Sequence, residues 1–165
     1  MPKTTYTAIP AYITKDGSEI RELMHPAVHG NHCQSLAEAL VPAGTTTRLH
    51  RHQRSEEIYH VLSGLGTMTL AGKRFALAPG DTVCIAPGAA HCVTATGTAP
   101  LRILCCCSPP YAHADTELLP SGHHGEPGVS QIDGADAATS APGRSGNSKR
   151  YTCSWPASGL RPPTM

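Results

Sequence analysis

The stretch from Gly44 to Gly64, GTTTRLHRHQRSEEIYHVLSG, carries the most specific pattern in this chain of 165 residues. Its β-branched and alternating segments predict one strand over Thr46 to His50 and another over Ile58 to Leu62, with a short polar turn at Gln53 to Ser55. Side chains on an extended strand repeat with period two, so His50 and His52 share a face and both imidazoles can reach one metal ion. Glu57 follows the turn and can return to the same place. Imidazole and carboxylate together suit iron, manganese, nickel, zinc or copper.

Further along, Gly80 to His91 reads GDTVCIAPGAAH. Its Pro87-Gly88 turn drops His91 onto the start of a strand, where it can supply a further ligand. From about Gln34 to Ser108, Gly and Pro recur every eight to twelve residues between short β-branched segments, the pattern of an all-β sandwich or barrel. The remaining candidate strands are 19–24, 35–41, 66–70, 73–77, 82–86, 91–95 and 101–106.

Together the two blocks resemble the signature motifs of the cupin superfamily. The first motif, Gly, five residues, His-x-His, four residues, Glu, six residues, Gly, is matched at every fixed position from Gly44 to Gly64. The second departs at Ala86 and Ala95, where the family usually has Pro and Asn; neither position is a metal ligand. The resemblance covers about residues 34–108 and implies a double-stranded β-helix, or jelly roll, with a metal inside the barrel. It also implies that His50, His52, Glu57 and His91 hold one divalent first-row ion, with iron favoured and manganese, nickel, zinc or copper as alternatives. The family allows either three or four residues before the glutamate, so Glu56 competes with Glu57. The spacing to Gly64 and the alternation with Ile58 and Tyr59 favour Glu57.

With Glu57 turned inward, Tyr59 and Val61 face the interior too, and Tyr59 is placed to move a proton beside the metal or to hydrogen-bond a ligand. Arg48 shares parity with His50 and His52, which offers a bidentate clamp for an anionic substrate or else a residue on the rim. On the last strand, Ile103, Cys105 and Cys107 share one face and Arg102, Leu104 and Cys106 the other. With Arg102 outside, the inward thiols behave as small hydrophobes. His25, His29 and His32 occupy a Gly- and Pro-containing segment read as a surface loop.

The site and the resemblance together point first to a metalloenzyme of the non-heme dioxygenase type, acting on a small oxygenated anion chelated to the metal. A sugar-phosphate isomerase, epimerase or lyase is the second expectation. It needs a phosphate-binding cluster, for which Arg48, Arg51 and Lys73 are the candidates. A non-catalytic metal- or ligand-binding module is the third, since fold and metal do not fix the substrate.

The formal net charge of +1, with no Lys/Arg block longer than a pair, offers no counterion-releasing surface for nucleic acid. No run approaches the ~18 apolar residues of a membrane span, and the N-terminus is too polar for a signal peptide. The seven cysteines are odd in number and three are consecutive, which fits reduced thiols and a cytoplasmic location. The expected organisation is an N-terminal arm with the first strands over 1–33, a barrel over 34–119, and a Pro-, Gly- and Ser-rich tail over 120–165. That tail has too few aliphatic residues to offset its ordering entropy and is read as disordered, with His123, His124 and Trp155 as solvated residues. Open strand edges predict a homodimer built from the first 45 residues.

Overall fold

The computed structural model describes residues 1–120. The tail reading, with His123, His124 and Trp155, lies outside the described residues. Within them the chain is nearly all β: eleven strands form two antiparallel sheets facing one another as a jelly roll. Sheet A runs in the order β1 (Ala11–Ile13), β2 (Glu19–Met24), β3 (Ser35–Val41), β10 (Leu101–Ser108), β5 (Glu56–Ser63), β8 (Thr82–Ile85). Sheet B runs β11 (Thr116–Leu118), β4 (His50–His52), β9 (His91–Ala95), β6 (Gly66–Leu70), β7 (Lys73–Leu77). No described helix is long and apolar enough to cross a membrane.

Alternation decides which side chains fill the space between the sheets. On β5, Glu57, Tyr59 and Val61 are buried while Ile58 and Leu62 are exposed. On β10, Leu101, Ile103, Cys105 and Cys107 are buried, and Arg102 on the opposite face pairs with Glu38 at 2.8 Å. The core is aliphatic, with Val41, Val61, Met68, Leu77, Ile85, Val93, Leu101 and Ile103 almost fully covered. Each side chain of this kind contributes about 1.5–3 kcal/mol on burial. The tightest β hairpin, β6 to β7, turns through Ala71 and Gly72, both at positive φ (48° and 78°), the geometry that matches the twist of the flanking strands.

Three differences from the sequence reading matter for the site. The predicted strand over Thr46 to His50 is displaced: regular pairing covers His50 to His52, and before it only an isolated bridge joins Thr46 to Thr94. Two short strands, β1 and β11, flank the predicted set. The histidine-bearing segment at 25–32 contains a one-turn helix, Pro26–His29, whose first turn is capped by His25 Nδ1 accepting from the Ala27 amide.

Candidate metal centre

The four motif residues converge between the sheets. His50 and His52 come from β4, His91 lies opposite His50 on β9, and Glu57 reaches across from β5 in the other sheet. All four are buried, and their ligand atoms lie within 4.8 Å of one another. Glu56, the competing carboxylate, is exposed, because one step along the strand turns it to the outer face.

Each imidazole is held from behind. Nδ1 of His50 donates to the Arg48 carbonyl at 2.8 Å, and Nδ1 of His91 to the Ala89 carbonyl at 3.0 Å. Nδ1 of His52 lies 3.1 Å from Thr116 Oγ1, whose hydroxyl donates to the Ala112 carbonyl and so accepts from the ring. These bonds fix the tautomer that leaves Nε2 of all three rings for the centre, the arrangement typical of metal-ligating histidines.

On the inner side, Glu57 Oε2 lies 3.0 Å from His52 Nε2 and 3.4 Å from His91 Nε2. His91 Nε2 is buried with no hydrogen-bond partner. Burial pushes the Glu57 carboxyl up, but the His52 hydrogen bond, the 3.4 Å approach of His91 and the charge of both outweigh it and bring the pKa down to about 2. For His52, burial lowers the pKa, yet the Glu57 hydrogen bond and charge leave it raised; His50 is lowered by burial and by its neighbour His91. An ionised carboxylate facing imidazole nitrogens requires a positive charge among them. Donors about 3 Å apart also match ligands at right angles on an ion with bonds of about 2.1 Å. An orphaned buried nitrogen and this donor set therefore fit a divalent cation, which would take the place of the His52 proton.

The second Glu57 oxygen is occupied too: Oε1 accepts from the Cys107 thiol at 3.3 Å. Burial and the adjacent Glu57 charge push the Cys107 thiol well above its ordinary pKa, so it remains a donor. The thiol thus keeps Oε2 turned toward the histidines. Cys107→Ala is expected to weaken metal binding about tenfold, and Cys107→Ser, which keeps a donor, to recover most of it. Competition against a chromophoric chelator checks this; an Ala variant matching the native chain would leave Cys107 as packing alone.

A cavity opens from the cluster, walled by β2, β3, β5 and β10 and by the segments 12–18 and 111–116. Tyr59 lines it, 7% exposed, with its ring edge-on to His91 at 5.9 Å between centroids. Burial, then the Glu57 charge, raises its pKa well above the usual phenol value, so it stands as a protonated hydroxyl. Arg48 is not brought to the cavity. Its side chain is exposed and Thr47 lines the wall instead, because the chain between Thr47 and His50 is not extended strand and parity does not carry across it. Arg51 turns outward to Glu117 at 2.8 Å, and Lys73 is exposed on β7.

Two supporting residues escape a reading of spacing. Asp115 accepts from the Arg54 and Ser55 amides and the Ser55 hydroxyl, pinning the turn by which the chain crosses from His52 in one sheet to Glu57 in the other. Thr116, next to it, anchors His52. No period or motif marks the run Asp115-Thr116-Glu117.

Comparisons with known proteins follow the same span. The cupin domain model matches residues 37–107. An uncharacterized protein of Methanocaldococcus jannaschii is 54% identical over 117 residues, 71% of this chain and 94% of that protein. An oxalate-binding protein of Thermotoga maritima is 29% identical over 86 residues, 52% of this chain and 71% of that protein. Among solved structures, one described as a predicted oxalate decarboxylase of Thermotoga maritima superposes with a TM-score of 0.57 at 25% identity, covering 64% of this chain and 96% of that one.

Proposed function

This chain belongs to the cupin family, and from that premise we propose that it is a metal-dependent enzyme of the non-heme dioxygenase type whose small oxygenated substrate is chelated at the metal. The observation that carries the reading is the buried His50, His52, Glu57 and His91 cluster opening onto a cavity. A divalent ion held there supplies Lewis-acid polarisation and, as iron, the redox chemistry of dioxygenation. Three imidazoles and one carboxylate leave it a net charge of about +1, which suits an enolate, a catecholate or a hydroxy acid.

The chain's own groups then have distinct tasks. The backbone carbonyls of Arg48 and Ala89 and the Thr116 hydroxyl orient the three rings. Cys107 orients Glu57. Tyr59, protonated and on the wall, donates a hydrogen bond or a proton to an oxygen of the substrate. The oxalate in the names of the Thermotoga maritima proteins is itself a small oxygenated chelator, which supports the ligand class. The phosphate reading has less support: among the described residues, no Lys or Arg lines the cavity.

The test is oxygen uptake by the anaerobically iron-loaded protein across a panel of enolates, catechols and 2-hydroxy acids. Substrate-dependent uptake that is lost in the metal-free protein is the expected result. No uptake across the panel, with iron loading intact, overturns the oxygenase assignment. We place the protein in the cytoplasm and as a homodimer through the first 45 residues. The edge strand β1 supports the second point, with Ile13 66% and Tyr12 43% exposed. A native mass of one chain would remove it.

A further inference from the structure

We infer that the end of the substrate away from the metal donors is neutral or cationic, with Glu22 and Asp16 selecting against an anionic group there. This rests on the metal-chelation reading above and names the substrate class that the same cavity accepts.

The cavity wall holds three carboxylates, Asp16, Glu22 and Glu57, and none of its described residues is Lys or Arg. Of the basic side chains nearby, Arg48 is exposed outside the wall and the others have partners of their own. Arg51 pairs with Glu117, Arg54 with Asp115 and Arg102 with Glu38, while Lys15 donates to the carbonyls of His113 and Thr116. With a divalent ion in place the wall sums to about −1 before any substrate enters. An anionic group at the far end would bring like charge toward Asp16 and Glu22, whereas charge on the chelating end meets the metal.

Both acids are built into the wall. Asp16 Oδ1 accepts from Thr14 Oγ1 at 2.5 Å, Ser18 Oγ at 2.7 Å and the Ser18 amide at 3.2 Å. The Asp16 carbonyl accepts from the Arg48 amide at 2.7 Å, tying this turn to the approach to β4. Glu22 Oε2 accepts from Tyr12 Oη at 3.0 Å, whereas Oε1 is buried without a partner. A buried acceptor with no donor is unusual in a native fold, and a hydroxyl or ammonium group on a ligand would satisfy it.

Register shows how a ligand spans the two ends. Glu22 on β2 pairs with Ala37 on β3, Ala37 with Cys105 on β10, and Cys105 with Tyr59 on β5, and all four line the cavity. At a strand spacing of about 4.8 Å, this row sets Glu22 about 14 Å across the sheet from Tyr59. The two side chains between them, Ala37 and Cys105, are small. The row therefore has a metal-facing end and an acidic end with room between.

The experiment loads the full chain with Co(II) and follows its visible absorption on titration with three 2-hydroxy acids that share one chelating head. Glycolate is the bare head, 2-hydroxyadipate adds a carboxylate at the end of a longer chain, and 6-amino-2-hydroxyhexanoate an ammonium there, too far along to fold back as a third donor. Expected is binding of 6-amino-2-hydroxyhexanoate at least tenfold tighter than 2-hydroxyadipate, with glycolate unaffected by Glu22→Gln. In Glu22→Gln, and separately in Asp16→Asn, the disadvantage of 2-hydroxyadipate should shrink several-fold. 2-Hydroxyadipate binding as tightly as the amino acid to the native chain overturns the inference while leaving the chelation reading standing, as does a ratio unmoved in both variants. A cobalt spectrum that none of the three perturbs, glycolate included, overturns both.

Discussion

His91→Ala is expected to bind a divalent ion at least about 100-fold more weakly than the native chain, more than loss of a supporting hydrogen bond costs at such centres. His91 is fully buried, its Nδ1 is committed to the Ala89 carbonyl, and its Nε2 faces Glu57 at 3.4 Å without a hydrogen bond. Among the described residues, no further metal-ligating side chain joins the cluster to replace the missing nitrogen. The check is metal content by mass spectrometry after dialysis against a chelator, together with thermal unfolding in the presence and absence of added metal. A ligand that binds only the native state raises its stability in proportion to ln(1 + [L]/Kd), so the native chain should gain several degrees from metal and the variant almost nothing. Equal gains in both would show that the ion sits elsewhere.

Gly64→Ala should destabilise the fold by about 4 kcal/mol, at the upper end of single substitutions. Gly64 lies between β5 and β6 at φ +84°, where a side chain costs about 1–2 kcal/mol in the left-handed region. The added Cβ would also stand 2.4 Å from the Pro100 carbonyl oxygen and 2.8 Å from Leu101 Cα, backbone atoms at the entry to β10. Neither can swing aside as a side chain would. Gly17→Ala separates the two contributions: φ there is +90°, with nothing within 4 Å of a Cβ. That variant should lose only the conformational part, about 1–2 kcal/mol. Urea unfolding of both gives the comparison, and equal losses would mean that the close approach to Pro100 costs nothing.

The same glycine shows why so much of this molecule was legible in its sequence. Gly64 closes the first motif because the chain needs a positive φ and no side chain there. Likewise, the strands at 19–24, 35–41, 66–70, 73–77 and 91–95 occupy the residues that alternation and turn chemistry predict. The choice of Glu57 over Glu56 follows from the spacing to Gly64 and from period two, and burial agrees with it. The inward face of Cys105 and Cys107 follows in the same way, although the hydrogen bond from Cys107 to Glu57 does not, because alternation assigns a face and not a partner.

What the sequence concealed depends on pairing between distant segments. The strands β1 and β11 span three residues each, too short for periodicity to show. Parity leaves Arg48 either inward with His50 and His52 or on the rim, and the irregular chain before His50, which breaks the count, leaves it exposed. Glu22 and Asp16 carry no motif, and their place on the cavity wall emerges only when β2 is set beside β3.

Strand β11 has a consequence for how the protein is made. It pairs with β4 so that Thr116 lies opposite His52 and Leu118 opposite His50, and it lies beyond the span 37–107 that the family model matches. All four clustered residues are therefore translated before the segment that orients one of them and borders the other. During synthesis the nascent chain carries three histidines and a glutamate with no finished centre. The final geometry awaits emergence of residues 115–118 from the ribosome, so an ion offered to a shorter nascent chain would meet a site in which His52 lacks its Thr116 anchor.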